Sequence, residues 1–141
     1  MPDERELPTP AAVNAAVRAQ FPGGGNECVE LGHRYALARR IPTAMDVRPG
    51  GFISGPTQFS VADGAMWFST FATLGRIELM TLTSELSIRF LRPCTGDVLW
   101  ARATVHAAGR RNIVASILVW TDDNTERPSA AAQGTYALPA T

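Results

Sequence analysis

The chain has 141 residues, 45% of them hydrophobic and 18% charged, the balance of one globular domain with a sizeable core. Thirteen basic residues, all arginine, offset thirteen acidic ones, so no charge excess marks a surface for nucleic acid or anionic lipid. No apolar run reaches membrane-spanning length. The start, MPDERELPTP, is acidic and Pro-rich without the apolar core of a leader, and Cys28 and Cys94 are too isolated for a disulfide framework or a zinc site. A cytoplasmic protein with two buried thiols and no metal is expected.

Thr9 followed by Pro10 opens a short amphipathic helix, with a hydroxyl cap and a proline where a missing N–H does no harm. PGGGN ends it. ECVELGHRYALARRI then alternates polar and apolar residues and predicts two strands, or one broken near Gly32. PTAMDVRPGGFI reads as a loop. Next, Ser54 is a candidate cap, Pro56 stands where the first helical residue should be, and Gly75 is placed to stop the helix. Between them run nearly twenty residues, about 28 Å of helix at 1.5 Å per residue. Phe59, Val61, Met66, Trp67, Phe68, Phe71 and Leu74 cover almost every side, and a helix apolar all round is a buried helix.

After it, Leu82, Ser84, Leu86, Ile88 and Phe90 alternate with Thr83, Glu85, Ser87 and Arg89, predicting a strand with the first set on one face. VLWARATVHAAG, RRNIVASILVWT and SAAAQGTYALP follow as further strands joined by short turns, an antiparallel meander. A curled antiparallel sheet wrapped around one long helix, with a short helix ahead of it, satisfies the pattern. The class is α+β in a single domain over residues 1–141. Its core spans about 27–139, and 1–26 form the N-terminal helix and loop.

Asp63 is the only ionisable side chain within the long helix. Asp is a poor helix-interior residue and costly to bury unpaired. It is either a solvated or interface residue or a base or nucleophile whose basicity apolar surroundings raise. At the helix start, free N–H groups and the positive end of the macrodipole favour developing negative charge, and Gly55 leaves the backbone open to a ligand. An oxyanion donor at Gly55 and a carboxylate at Asp63 are two halves of an acyl-transfer site. Eight residues along one helix span about 12 Å, whereas reacting atoms must lie within roughly 3–3.5 Å. If both act on one carbonyl they come from two chains, and the site straddles a dimer interface.

The segments SGPTQFSVADGAMWF, LTSELSIRFLRP, GDVLWARATVHAAGRRNIVASILVW and AAAQGTY, in this order over residues 27–139, resemble the PaaI-type hotdog thioesterases of phenylacetate degradation. The resemblance implies a hotdog fold and a homodimer or dimer of dimers. It also implies hydrolysis of acyl-coenzyme A with no cofactor beyond the coenzyme A of the substrate. By position it gives Asp63 the catalytic carboxylate, Gly55 the N–H that polarises the thioester carbonyl, and Thr83 a hydroxyl that places the attacking water. Ser54 and Pro56 fall where the family motif has His and a second Gly, and Arg48 where some members have Asn near the reacting centre. These three, with Ser84 beside Thr83, are the substrate-binding candidates at the centre.

Arg110 and Arg111, at the AAGRRN turn, have the forked geometry that grips coenzyme A phosphates, although a solvated turn is the more frequent explanation of such charges. His33 and His106 fall on predicted strands away from the helix start. Trp67, Phe68 and Phe71 are core or acyl-pocket lining. Beside a thioesterase, two other functions fit: a non-catalytic acyl-ligand-binding domain, and a dehydratase or hydratase on acyl thioesters, whose chemistry calls for a His near the helix.

Overall fold

The computed structural model describes residues 6–140. Helix α1 (Pro10–Gln20) begins where Thr9 Oγ1 accepts the Ala12 N–H at 3.1 Å, and it plants Val13 fully inside the core. Asn14 fastens it to the first strand through two bonds to Cys28, Nδ2 to the carbonyl at 2.9 Å and Oδ1 from the N–H at 2.8 Å. Strands β1 (Glu27–Gly32) and β2 (Tyr35–Arg40) form the expected hairpin, with His33 in its turn and not on a strand.

The Pro- and Gly-rich stretch that follows is more ordered than a plain loop. It holds one 3-10 turn (Ala44–Asp46) and a two-residue pair, β3 (Val47–Arg48) with β4 (Phe52–Ile53). Gly50 and Gly51 turn that pair at φ of 93° and 82°, where any Cβ is strained. Helix α2 (Gly55–Leu74) comes next, capped by Ser54 and stopped at Gly75 in the left-handed conformation, φ 74°. Pro56 takes its second position, one later than the sequence suggests, because Gly55 is already helical. Met66, Phe68 and Phe71 on this helix are buried against Leu99, Ile113, Ile117 and Val119 of the sheet. Each such side chain removed from water contributes roughly 1.5–3 kcal/mol.

Strands β5 (Leu82–Phe90), β6 (Leu99–Ala108), β7 (Asn112–Thr121) and β8 (Ala130–Ala137) complete one antiparallel sheet of six strands in the order β1-β2-β6-β7-β8-β5. The inward face of β8 is Ala130, Ala132, Gly134 and Tyr136, three of them small, so that α2 can approach closely. At Gly134 a Cβ would stand 2.7 Å from the Glu85 carbonyl oxygen and 2.9 Å from Met66 Sδ.

Strand β5 departs from the simple alternation. Thr83 pairs with Tyr136 and Glu85 with Thr135, so Ser84 has no partner and bulges. Beyond the bulge Leu86, Ile88 and Phe90 stand opposite the inward residues of β8. Before it the parity is reversed, and Thr83, not Ser84, faces the helix. An inserted residue that re-aims a side chain is the usual effect of a β-bulge. No helix among the described residues is long and apolar enough to cross a membrane.

Candidate active site

The start of α2 is held from below by a buried carboxylate. Asp46 pairs with Arg40 at 3.0 Å and accepts the Thr43 N–H at 2.8 Å and the Thr57 hydroxyl at 2.9 Å. Burial alone would raise its pKa, but these donors and the Arg40 charge overcome that and bring it down to about 2. Its backbone carbonyl accepts the Ser54 N–H at 2.8 Å. Ser54 Oγ in turn donates to Thr57 Oγ1 at 2.9 Å and accepts the Thr57 N–H at 3.3 Å. Ser54 is therefore a cap whose hydroxyl is already engaged.

One residue on, the Gly55 N–H meets no acceptor among the described residues. It opens on a cleft of about 720 Å³ lined by Arg48, Phe52, Pro56, Phe90 and Arg92 among others. A Cβ on Gly55 would lie 3.1 Å from the Phe90 ring, so the glycine also keeps this approach open. The structure thus brings Gly55, Pro56 and Arg48 to one cleft, with Ser54 directly behind them.

Asp63 faces a different space. It lies half-buried two turns further on, on a cavity of about 220 Å³ between α1 and α2, with Tyr136 beside it. Thr83 and Tyr136 both donate hydroxyl protons to its Oδ1, each at 2.7 Å. Among the described residues Oδ2 accepts no hydrogen bond, so one carboxylate oxygen is fixed and the other is free to take a proton or attack. Tyr136 is buried, and burial first, then the nearby Asp63 charge, pushes its pKa well up. It stays protonated and serves as a donor.

The Gly55 cleft and the Asp63 cavity share no lining residue. With about 12 Å of helix between them, one chain presents a donor to one space and a carboxylate to the other.

The remaining candidates lie elsewhere. Ser84 is exposed at the bulge and makes no bond to Asp63. Arg110 and Arg111 line surface recesses at the β6–β7 turn, with Asn112 and Leu138, apart from both spaces. His106 is bonded to Ser116 at 2.7 Å across neighbouring strands. Phe68 and Phe71 are core, and Phe68 and the half-buried Trp67 also line the Asp63 cavity. Cys28 and Cys94 are buried and free. Among the described residues no three His, Cys, Asp or Glu side chains could hold a metal ion together.

Tyr136 and Asp46 escape a reading of the sequence. The first looks like one more core aromatic on a strand, and the second lies in an apparent loop. The one available signal for Asp46 is its place three residues after Thr43, the spacing of a capping box, which the structure forms.

A long helix wrapped by one six-stranded antiparallel sheet is the hotdog fold. The family model of the thioesterase superfamily matches residues 50–127, more than half of the chain, and the chain belongs to that superfamily. Among solved structures, a candidate thioesterase from Silicibacter sp. TM1040 is 29% identical with a TM-score of 0.80, covering 93% of this chain and 92% of that one. A conserved protein from Pseudomonas aeruginosa is 25% identical with a TM-score of 0.72, covering 96% and 98%. The PaaI protein from the Escherichia coli phenylacetic acid degradation operon shares the fold with a TM-score of 0.72 and 20% identity, over 91% and 94% of the two chains. No curated protein matches.

Proposed function

We propose that the protein hydrolyses acyl-coenzyme A thioesters at a site made by two chains of a homodimer, Asp63 coming from one and the Gly55 N–H from the other. The observation that carries this reading is the separation just described. Among the described residues Asp63 Oδ1 is held by two hydroxyls and Oδ2 by none, while the unspent Gly55 N–H opens on another space. Placing two helices side by side brings the halves together. The exposed Phe52, Phe90 and Leu91 around the Gly55 cleft offer apolar area for that pairing.

In the reaction, Asp63 Oδ2 takes a proton from a water as that water adds to the thioester carbonyl. The carbonyl oxygen becomes an oxyanion and accepts the Gly55 N–H of the second chain, with the helix dipole behind it. The tetrahedral intermediate collapses, the C–S bond breaks, and the proton on Asp63 passes to the departing thiolate. Free acid and coenzyme A leave. Attack by Asp63 itself, through an anhydride that water then opens, gives the same products. Coenzyme A occupies the Gly55 cleft, with Arg48 and Arg92 at its mouth. If Arg110 and Arg111 hold its phosphates, replacing both with Ala raises KM and leaves kcat unchanged.

The test is thiol release from a panel of acyl-coenzyme A substrates. Removing a general base costs about 10²–10⁴ in rate, so Asp63→Asn should lower kcat by that order while the dimer stays folded. Near-normal activity in Asp63→Asn excludes the carboxylate mechanism. Acyl-coenzyme A binding without thiol release by the unaltered protein makes it a ligand-binding domain. The shared site has its own test in a mixed dimer of Asp63→Asn with Gly55→Pro chains. That dimer keeps one complete site and should recover activity absent from either parent; a folded mixed dimer without activity excludes the sharing.

A further inference from the structure

The cavity beside Asp63 takes its outer wall from the N-terminal helix. Phe21, at the end of α1, sets its ring edge-on to Trp67 at 5.7 Å and 83°, and Trp67 stacks on Phe68. Val17, one turn back on α1, lines the same space. Trp67 is locked by Nε1 donating to Thr81 Oγ1 at 2.9 Å, so its ring is a fixed wall. Phe21 is the exposed member of the set, 53% accessible, and the wall that can be altered without disturbing the core.

The helix that carries Phe21 is itself held in place. Val13 is sunk in the core, Asn14 grips both backbone groups of Cys28, and the Phe21 N–H closes the last turn on the Val17 carbonyl at 2.7 Å. The position of the Phe21 ring is thus defined by the fold and not by a wandering terminus.

Several polar side chains around the cavity are already engaged. Asn26 Nδ2 donates to the Ser60 carbonyl and hydroxyl at 3.1 Å, the Trp67 N–H goes to Thr81, and the Tyr136 hydroxyl goes to Asp63. Val17, Phe21, Trp67 and Phe68 supply the larger part of the wall, so the cavity suits an apolar occupant chosen by shape. Pockets for drug-sized ligands run from about 300 to 1,000 Å³, and this one, at about 220 Å³, matches a single ring or a short chain.

We infer that Phe21 and Val17 of α1 form the acyl-length gauge of the enzyme, and that its substrates carry a compact, apolar, unsubstituted acyl group. This inference rests on the hydrolytic reading above, since a carbonyl held at Asp63 has its acyl chain directed into this cavity while coenzyme A lies in the other space.

The experiment compares kcat/KM of the full chain for butyryl-, hexanoyl-, benzoyl-, dodecanoyl- and palmitoyl-coenzyme A, alongside Phe21→Ala and Phe21→Trp. In the unaltered protein the compact substrates should exceed dodecanoyl and palmitoyl by about tenfold or more. Phe21→Ala should raise the dodecanoyl-to-butyryl ratio by about tenfold, and Phe21→Trp should lower it. Opposite shifts from opposite changes of size are the signature of a gauge; a merely structural Phe21 would depress every substrate alike. Val17→Ala repeats the opening on the same wall if circular dichroism shows either Phe21 variant poorly folded. Hydrolysis of every chain length with unchanged ratios in all three variants overturns the gauge and leaves the hydrolytic reading standing. No hydrolysis of any of the five substrates overturns both.

Discussion

Tyr136 donates its hydroxyl to Asp63 Oδ1 at 2.7 Å across 73 positions of sequence, and Thr83 donates to the same oxygen at the same distance. The two donors come from neighbouring strands, where the β5–β8 register sets Thr83 opposite Tyr136. A hydrogen bond to a charged group is worth about 1.5–3 kcal/mol. Tyr136→Phe and Thr83→Val should each lower kcat by roughly 10- to 100-fold. Because they act through one oxygen, the double variant should lose less than the product of the two losses. Thiol-release kinetics on the three variants check this, and full multiplicativity would mean that the two hydroxyls act independently.

Asp46 makes stability depend on acid. A carboxyl held below its unfolded pKa of about 3.9 stabilises the fold only while ionised. Its contribution, on the order of 2 kcal/mol, is complete above about pH 5 and fades as pH falls through the folded value of about 2. Urea midpoints measured from pH 6 down to pH 2 should fall for the unaltered protein and fall less steeply for Asp46→Asn. Removing the carboxyl outright, as Asp46→Ala, leaves Arg40 without its charged partner and should cost on the order of 3 kcal/mol at pH 7.

The two thiols should be inert in the folded protein. Burial is the main cause in both, raising the pKa of Cys28 to about 12 and that of Cys94 as well. Neither forms thiolate at ordinary pH, and neither is reachable at 1% and 2% exposure. Iodoacetamide at pH 8 should leave both unmodified in native protein and label both in urea, as mass spectrometry would read. Native labelling of Cys94, which borders the Gly55 cleft, would mean that the cleft opens further than its lining allows.

Gly134→Ala should destabilise the fold without touching the chemistry directly. Its Cβ would meet the Glu85 carbonyl, which belongs to the neighbouring strand and cannot swing away like a side chain. Overpacking of this kind typically costs about 1–3 kcal/mol, a fall of several degrees in melting temperature. An unchanged melting temperature would mean that β5 and β8 slide apart freely.

The sequence was legible wherever local chemistry decides the outcome. Ser54 and Gly75 bound α2 because a hydroxyl cap and a left-handed glycine act on their own few residues, and the apolar surface of that helix announces its burial. Asp63 was legible because it contradicts its surroundings. Tyr136 was not, since its role depends on which strand lies beside β5, and pairing across 73 positions leaves no local trace. Asp46 was hidden among residues that also make loops. The wall formed by Phe21 was hidden too, because a short amphipathic helix looks the same whether it covers a core or borders a cavity. The facing of β5 departs from simple alternation at Leu82, Thr83 and Ser84, since alternation counts in twos and a bulge breaks the count.

That broken count leaves Ser84 as a spacer between two fixed registers. Leu86, Ile88 and Phe90 are anchored by their partners on β8, and Thr83 is anchored by Tyr136. Deleting Ser84 would set Thr83 directly before Glu85, where plain alternation opposite Tyr136 turns it to the helix. A chain one codon shorter here could fold on the same plan and keep both hydroxyls on Asp63.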